Sequence, residues 1–123
     1  MVPKLISATP SAYARINRIA FMEKGVDFEL ADEVPWNLDT TVATHNPLEK
    51  LPILCFEDGS ALYDSELIQE WILHTYKDKA PLLLPEDFDQ TLKAKQIQTL
   101  AEGHMDALAL DFFERSRENP SKE

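Results

Sequence analysis

The chain has 123 residues, 44% of them hydrophobic, which is enough for one packed domain or for one small domain and a fragment. Its formal net charge of -10 disfavours generic binding to nucleic acid or to anionic membranes, because both are polyanions. A single cysteine excludes an internal disulfide, and no long apolar segment precedes the first strand-like residues, so the expected compartment is the cytoplasm.

Lys4 to Ser7 reads as a first strand. Ser11 to Lys24 reads as a helix with Tyr13, Ile16, Ile19 and Ala20 inward, stopped by Gly25 as a C-terminal cap. Phe28-Glu29-Leu30 follows as a short second strand. A strand, helix and strand of this length predict a right-handed crossover onto a parallel pair. Val34 to Thr44 contains Pro35 and Trp36 and has no clear period. It is expected to be a loop, long enough to suggest a binding role.

Ile53 to Phe56 is an apolar run opened by Pro52, and Asp58-Gly59 is a hairpin signal between it and Ala61-Leu62-Tyr63. A helix then begins near Ser65, with Leu67, Ile68, Trp71, Ile72 and Tyr76 along one face. Ser65 or Asp64 would cap it, and its free amides suit a carboxylate. The whole predicts a βαβ-ββα unit. Beyond Tyr76, Pro81 to Pro85 is a stiff apolar linker and a long helical pattern starts near Glu86. Ile97, Leu100, Ala101, Met105, Leu108 and Phe112 recur there at three- and four-residue spacing. One helix cannot bury such a stripe by itself, so it is expected to pack on the first domain or on another subunit. Asn119-Pro120 is expected to end or bend it.

The chemistry concentrates at two predicted helix starts. Ser11 in T-P-S-A-Y-A-R follows the first strand and opens the first helix, where amides and the helix dipole favour an anion such as a thiolate. A free thiol titrates near about 8.5, and a helix N-terminus can lower that to roughly 3.5 to 7.5. The plain alternative is that Ser11 is only an N-cap, worth about 1 kcal/mol of stability. Asp64-Ser65 is the more specific pair, a match to a zwitterion in which the carboxylate meets an ammonium while Ser65 and its amide meet a carboxylate. Its plain alternative is a capping aspartate. Lys50 is weighed evenly between a solvated surface lysine and a point charge for an anion. Cys55, in an apolar strand, reads as an inert core residue, and His45, His74 and His104 show no metal spacing.

These same residues carry a resemblance. Asn46 to Leu54, N-P-L-E-K-L-P-I-L, followed by D-G-S-A-L-Y-D-S-E-L-I at Asp58 to Ile68, resembles the second half of the glutathione-binding domain of cytosolic glutathione S-transferases. T-P-S-A-Y-A-R is similar to the S-P-Y-x-R stretch of the serine-type, bacterial members. Leu100 to Glu114 is similar to the first long helix of their second domain. The resemblance implies an α/β fold: a thioredoxin-like glutathione-binding domain at residues 1–79, a linker at 80–85, and the first part of an all-helical domain at 86–123. It stops where three or more further helices would be expected, so the sequence reads as a truncated family member.

For the site, the resemblance implies a cis Leu51-Pro52 bond that leaves the Leu51 backbone open to pair with the cysteinyl unit of glutathione like an added strand. Asp64 and Ser65 would hold the γ-glutamyl end, Lys50 would lie near the glycine carboxylate, and the Ser11 hydroxyl would donate a hydrogen bond to the sulfur. It implies a glutathione transferase that takes glutathione as co-substrate, uses no metal, attacks a small electrophile in a detoxifying reaction and forms a homodimer. Two departures stand out: Ala12 replaces the usual proline, and Glu49 sits where the family often has glycine. They keep a second hypothesis in view, a non-catalytic glutathione-binding or structural module. Glutathione-dependent peroxide or thiol reduction is a third, although Ser11-Ala12-Tyr13-Ala14 in place of C-x-x-C excludes dithiol exchange at that position.

Overall fold

The computed structural model describes residues 2–121. The chain divides between Leu83 and Leu84 into two compact units. The first contains β1 (Lys4–Ser7), α1 (Ala12–Glu23), β2 (Glu29–Asp32), α2 (Val42–His45), β3 (Ile53–Cys55), β4 (Ala61–Leu62) and α3 (Ser65–Thr75). Its sheet has the order β2-β1-β3-β4, with β1 parallel to β2 and antiparallel to β3, and β4 antiparallel to β3. This is the expected α/β, thioredoxin-like arrangement.

The alternation of the strands decides which helix covers which face. Leu5 and Leu54 pack with Ala20 and Phe21 of α1 and with Ile68 and Ile72 of α3. Their neighbours Ile6 and Ile53 point the other way and pack with Val42 of α2. The far end of the sheet, where β1 begins, is closed by rings. Phe21 stacks on Phe28 at 5.0 Å, Trp71 meets Phe56 at 5.4 Å and Tyr76 at 5.7 Å, and Tyr76 meets Phe21 at 6.5 Å.

Helix α1 ends as its sequence predicts. Gly25 has φ +58, its N–H donates to the Met22 carbonyl, and the Val26 N–H reaches back to the Phe21 carbonyl, the pairing of a Schellman motif.

Four expectations need correction. The inward residues of α1 are Ala14, Asn17, Ala20 and Phe21, whereas Ile19 is 47% exposed. The stripe that faces the sheet is shifted because a buried amide, Asn17, stands in its middle. On α3 Ile68 and Ile72 are buried, but Leu67 is 53% exposed. The second strand covers Glu29–Asp32, displaced toward its C-terminal end by register with Lys4–Ser7. The span from Val34 to Thr44 is not all loop, since Val42 opens the one-turn helix α2.

In the second unit α4 (Phe88–Arg115) is capped by Asp87, whose Oδ2 accepts from the Gln90 N–H at 2.9 Å. None of its residues is buried. It stops at Arg115, before Asn119-Pro120: the Ser116 N–H makes the last i→i−4 bond, to the Phe112 carbonyl, which also accepts from the Ser116 hydroxyl, and the Arg117 N–H tightens onto the Glu114 carbonyl. The Glu114 carboxylate then draws in Arg117 and the Ser121 N–H.

Candidate functional site

Strand register brings the predicted residues to one end of the sheet. Ile6 pairs with Ile53 and Leu54 with Leu62. The chain leaving β1 toward Ser11, the Leu51-Pro52 step before β3, and the Asp64-Ser65 step after β4 therefore converge there. The Leu51-Pro52 bond is cis, as is the Tyr63-Asp64 bond.

Ser11 is the N-cap of α1. Its Oγ accepts from the Ala14 N–H at 3.1 Å, and its own N–H donates to the Ala8 carbonyl at 2.9 Å. The turn is anchored to β2 by the Thr9 N–H, which donates to Asp32 Oδ1 at 3.1 Å. A hydroxyl that accepts from its helix still has a proton to donate. No acidic side chain lies in the first turn of α1 to offset its positive end.

Asp64 is the N-cap of α3. Its Oδ1 accepts from the Glu66 N–H at 3.1 Å and the Leu67 N–H at 3.5 Å. Ser65 beside it is 7% exposed. Lys50 is exposed, and its carbonyl accepts from Asn46 Nδ2 at 3.0 Å, while Asn46 Oδ1 accepts from the Leu48 N–H at 2.9 Å. Asn46 thus sets the bend that delivers Lys50 and Leu51 to β3. Within that bend Glu49 has φ +54, a left-handed conformation costing a non-glycine residue about 1–2 kcal/mol. Glycine adopts this conformation without that cost, so Glu49 stands where the backbone favours a residue with no Cβ.

The loop after β2 is tied by Glu33, which accepts from the hydroxyl of Thr40 at 2.9 Å and from the hydroxyl and N–H of Thr41 at 2.7 and 2.8 Å. These bonds, the Thr41 hydroxyl foremost, hold the Glu33 carboxyl below its ordinary 4.5. Burial pushes the thiol of half-buried Cys55 up, away from the thiolate form.

Sequence reasoning missed Asn17, which is fully buried. Its Nδ2 donates to the Ser65 carbonyl at 3.0 Å and to Gln69 Oε1 at 3.1 Å, while its Oδ1 is buried without a partner, at a cost of about 1–3 kcal/mol. An amide in the middle of an otherwise apolar helix face was the available signal. Asp32, Glu33 and Asn46 were also missed, and for Asn46 the Asn-Pro turn pair was the cue. Among the described residues no group of three or more His, Cys, Asp or Glu could hold a metal ion, and no helix is long and apolar enough to cross a membrane.

Residues 10–75 match the family model for the N-terminal domain of glutathione S-transferase, more than half of the chain. The chain belongs to the glutathione S-transferase family. It is 39% identical to the uncharacterised GST-like protein YibF of Escherichia coli (strain K12) over 93% of this chain and 55% of that protein. Among solved structures it is similar to a glutathione S-transferase of Methylobacterium radiotolerans in complex with glutathione sulfonate, at 50% identity and a TM-score of 0.89, over 96% of this chain and 55% of that one. A glutathione S-transferase of Methylobacillus flagellatus with glutathione bound is 34% identical with a TM-score of 0.83, over 94% of this chain and 57% of that one. The chain thus spans a little over half the length of these relatives.

Proposed function

We propose that this transferase-family chain binds glutathione along the sheet end described above and stabilises its thiolate for attack on a small electrophile. The observation that carries the reading is that the two helix N-termini at that end are capped by residues with complementary donors and acceptors. Ser11 at α1 keeps a hydroxyl proton for a sulfur anion, and Asp64 at α3 presents a carboxylate to an ammonium. Ser65 and its amide would meet the γ-glutamyl carboxylate, the Leu51 backbone before Pro52 would pair with the cysteinyl unit, and Lys50 would attract the glycine carboxylate. Similarity to structures holding glutathione or glutathione sulfonate supports this assignment.

In the mechanism that follows, Ser11 stabilises the nucleophile and is not itself the nucleophile. Positioning and partial desolvation of a sulfur anion then supply the rate, since a thiolate is potent once formed. In this reading the thioredoxin-like domain covers residues 1–79, the linker 80–85, and the helical domain begins at residue 86. Detoxification in the cytoplasm as a homodimer is the setting this reading expects.

Calorimetric titration of the protein with glutathione, followed by conjugation assays across a panel of electrophiles, tests it. Binding with turnover supports a transferase. Binding without turnover points to a glutathione-binding module, the reading favoured by Glu49 beside Lys50, whose negative charge opposes an anionic ligand. Turnover confined to peroxides or disulfides points to a reductase, and no binding removes the proposal.

A further inference from the structure

We propose that Asn17 is a positioning residue for the amino-acid head of the ligand, holding the Asp64-Ser65 grip in register with the start of α1. The inference rests on the glutathione-binding reading above. Asn17 stands on the inner face of α1 between Ala14 and Ala20, where an aliphatic side chain would avoid the stranded amide oxygen but would give up both donors. The Ser65 carbonyl can only accept, so the amide must turn its nitrogen toward it, which assigns both donors and strands the oxygen.

One of those donors is aimed at the Ser65–Glu66 peptide unit, and the other goes to the Gln69 side chain. The carbonyl of the Ser65–Glu66 peptide accepts from Asn17 Nδ2 at 3.0 Å, and the N–H of the same peptide donates to Asp64 Oδ1 at 3.1 Å. A continuous hydrogen-bonded path therefore runs from α1 through that peptide to the carboxylate. The apolar contacts of Ala20 and Phe21 with Ile68 and Ile72 keep the two helices together, but such contacts are non-directional and do not fix rotation or rise. The bonds of Asn17 do. Ser11 lies fewer than two turns upstream on the same helix, so one rigid element carries both the sulfur donor and the tether of the head-group site.

The test compares Asn17→Leu with the unaltered, intact protein. Two ligands are titrated calorimetrically: glutathione, and glutaryl-cysteinylglycine, which lacks only the α-amino group that Asp64 would hold. The unaltered protein is expected to prefer glutathione by about ten-fold or more, the worth of one hydrogen bond to a charged group. Asn17→Leu is expected to lose about ten-fold in glutathione affinity and less than about two-fold for the analogue, so the preference collapses while thermal unfolding stays cooperative. If that variant fails to fold, Asn17→Ala, which removes the same donors without adding bulk, carries the same comparison. Unchanged glutathione affinity in a folded variant overturns the inference, as does an equal loss for both ligands, which would make Asn17 a purely structural residue. Failure of the unaltered protein to bind glutathione removes the underlying reading and this inference with it, an outcome visible before any variant is made.

Discussion

At one end of the sheet Phe21, Phe28, Phe56, Trp71 and Tyr76 close ring against ring, whereas at the other the chain spends Ser11, Asp64, Ser65 and Lys50 on two helix starts and a bend. The apolar end has satisfied its residues internally. The polar end keeps one hydroxyl proton and one carboxylate oxygen that the fold does not use. The difference teaches that stability and ligand recognition are separated along the strands, about one strand length apart, and that they can be perturbed one at a time.

The largest expected effect breaks the apolar end. Phe21→Ala removes a fully buried ring with two aromatic partners and should destabilise the fold by about 3–5 kcal/mol in denaturant titration. Whatever fraction remains folded should bind glutathione with unchanged affinity. At the polar end Asp64→Asn should do the reverse. Asparagine caps a helix as well as aspartate, so the melting temperature should barely move, while loss of the charge should weaken glutathione binding by roughly ten- to a hundred-fold.

Ser11→Ala should register in both currencies. The lost cap costs about 1 kcal/mol of stability, and turnover falls about ten-fold or more with glutathione affinity nearly intact. The pKa of the bound thiol, followed by thiolate absorbance, should rise. Turnover equal to that of the unaltered protein would remove Ser11 from the mechanism.

The smallest effect concerns Glu33. Its folded pKa is depressed, so its contribution to stability is fully present above the unfolded value and is lost as pH falls through the folded one, below 4.5. Glu33→Gln should lower stability modestly at neutral pH, leave it little changed in acid, and so flatten that limb of a pH–stability curve. A limb as steep as before would assign the acid sensitivity to other carboxylates.

How much of this was legible follows the same division. β1, the Ser11 cap, the Gly25 stop, the Asp58-Gly59 hairpin and the start of α3 each have a local cause within a few residues, and each lies where the sequence predicts it. What was hidden depends on distant partners. α2 lacks a side-chain cap of its own and is held at Thr41 by Glu33 from the end of β2, which no periodicity reveals. Asn17 looked like a polar interruption, because its partners Ser65 and Gln69 are far away in sequence. The inward face of α1 was misread for that reason, with Ile19 placed inside and Asn17 left out. On α3 the error was one of width, since the stripe that covers the sheet is narrower than the apolar positions available.

The sheet order also governs how the molecule meets copies of itself at high concentration. Its two margins are β2, which carries Glu29 and Asp32 and leads into Glu33, and β4, which is only two residues long. A foreign strand approaching the first margin faces carboxylates, and at the second it finds too short a template to bind. Edge-to-edge extension of the folded sheet is therefore disfavoured from both sides.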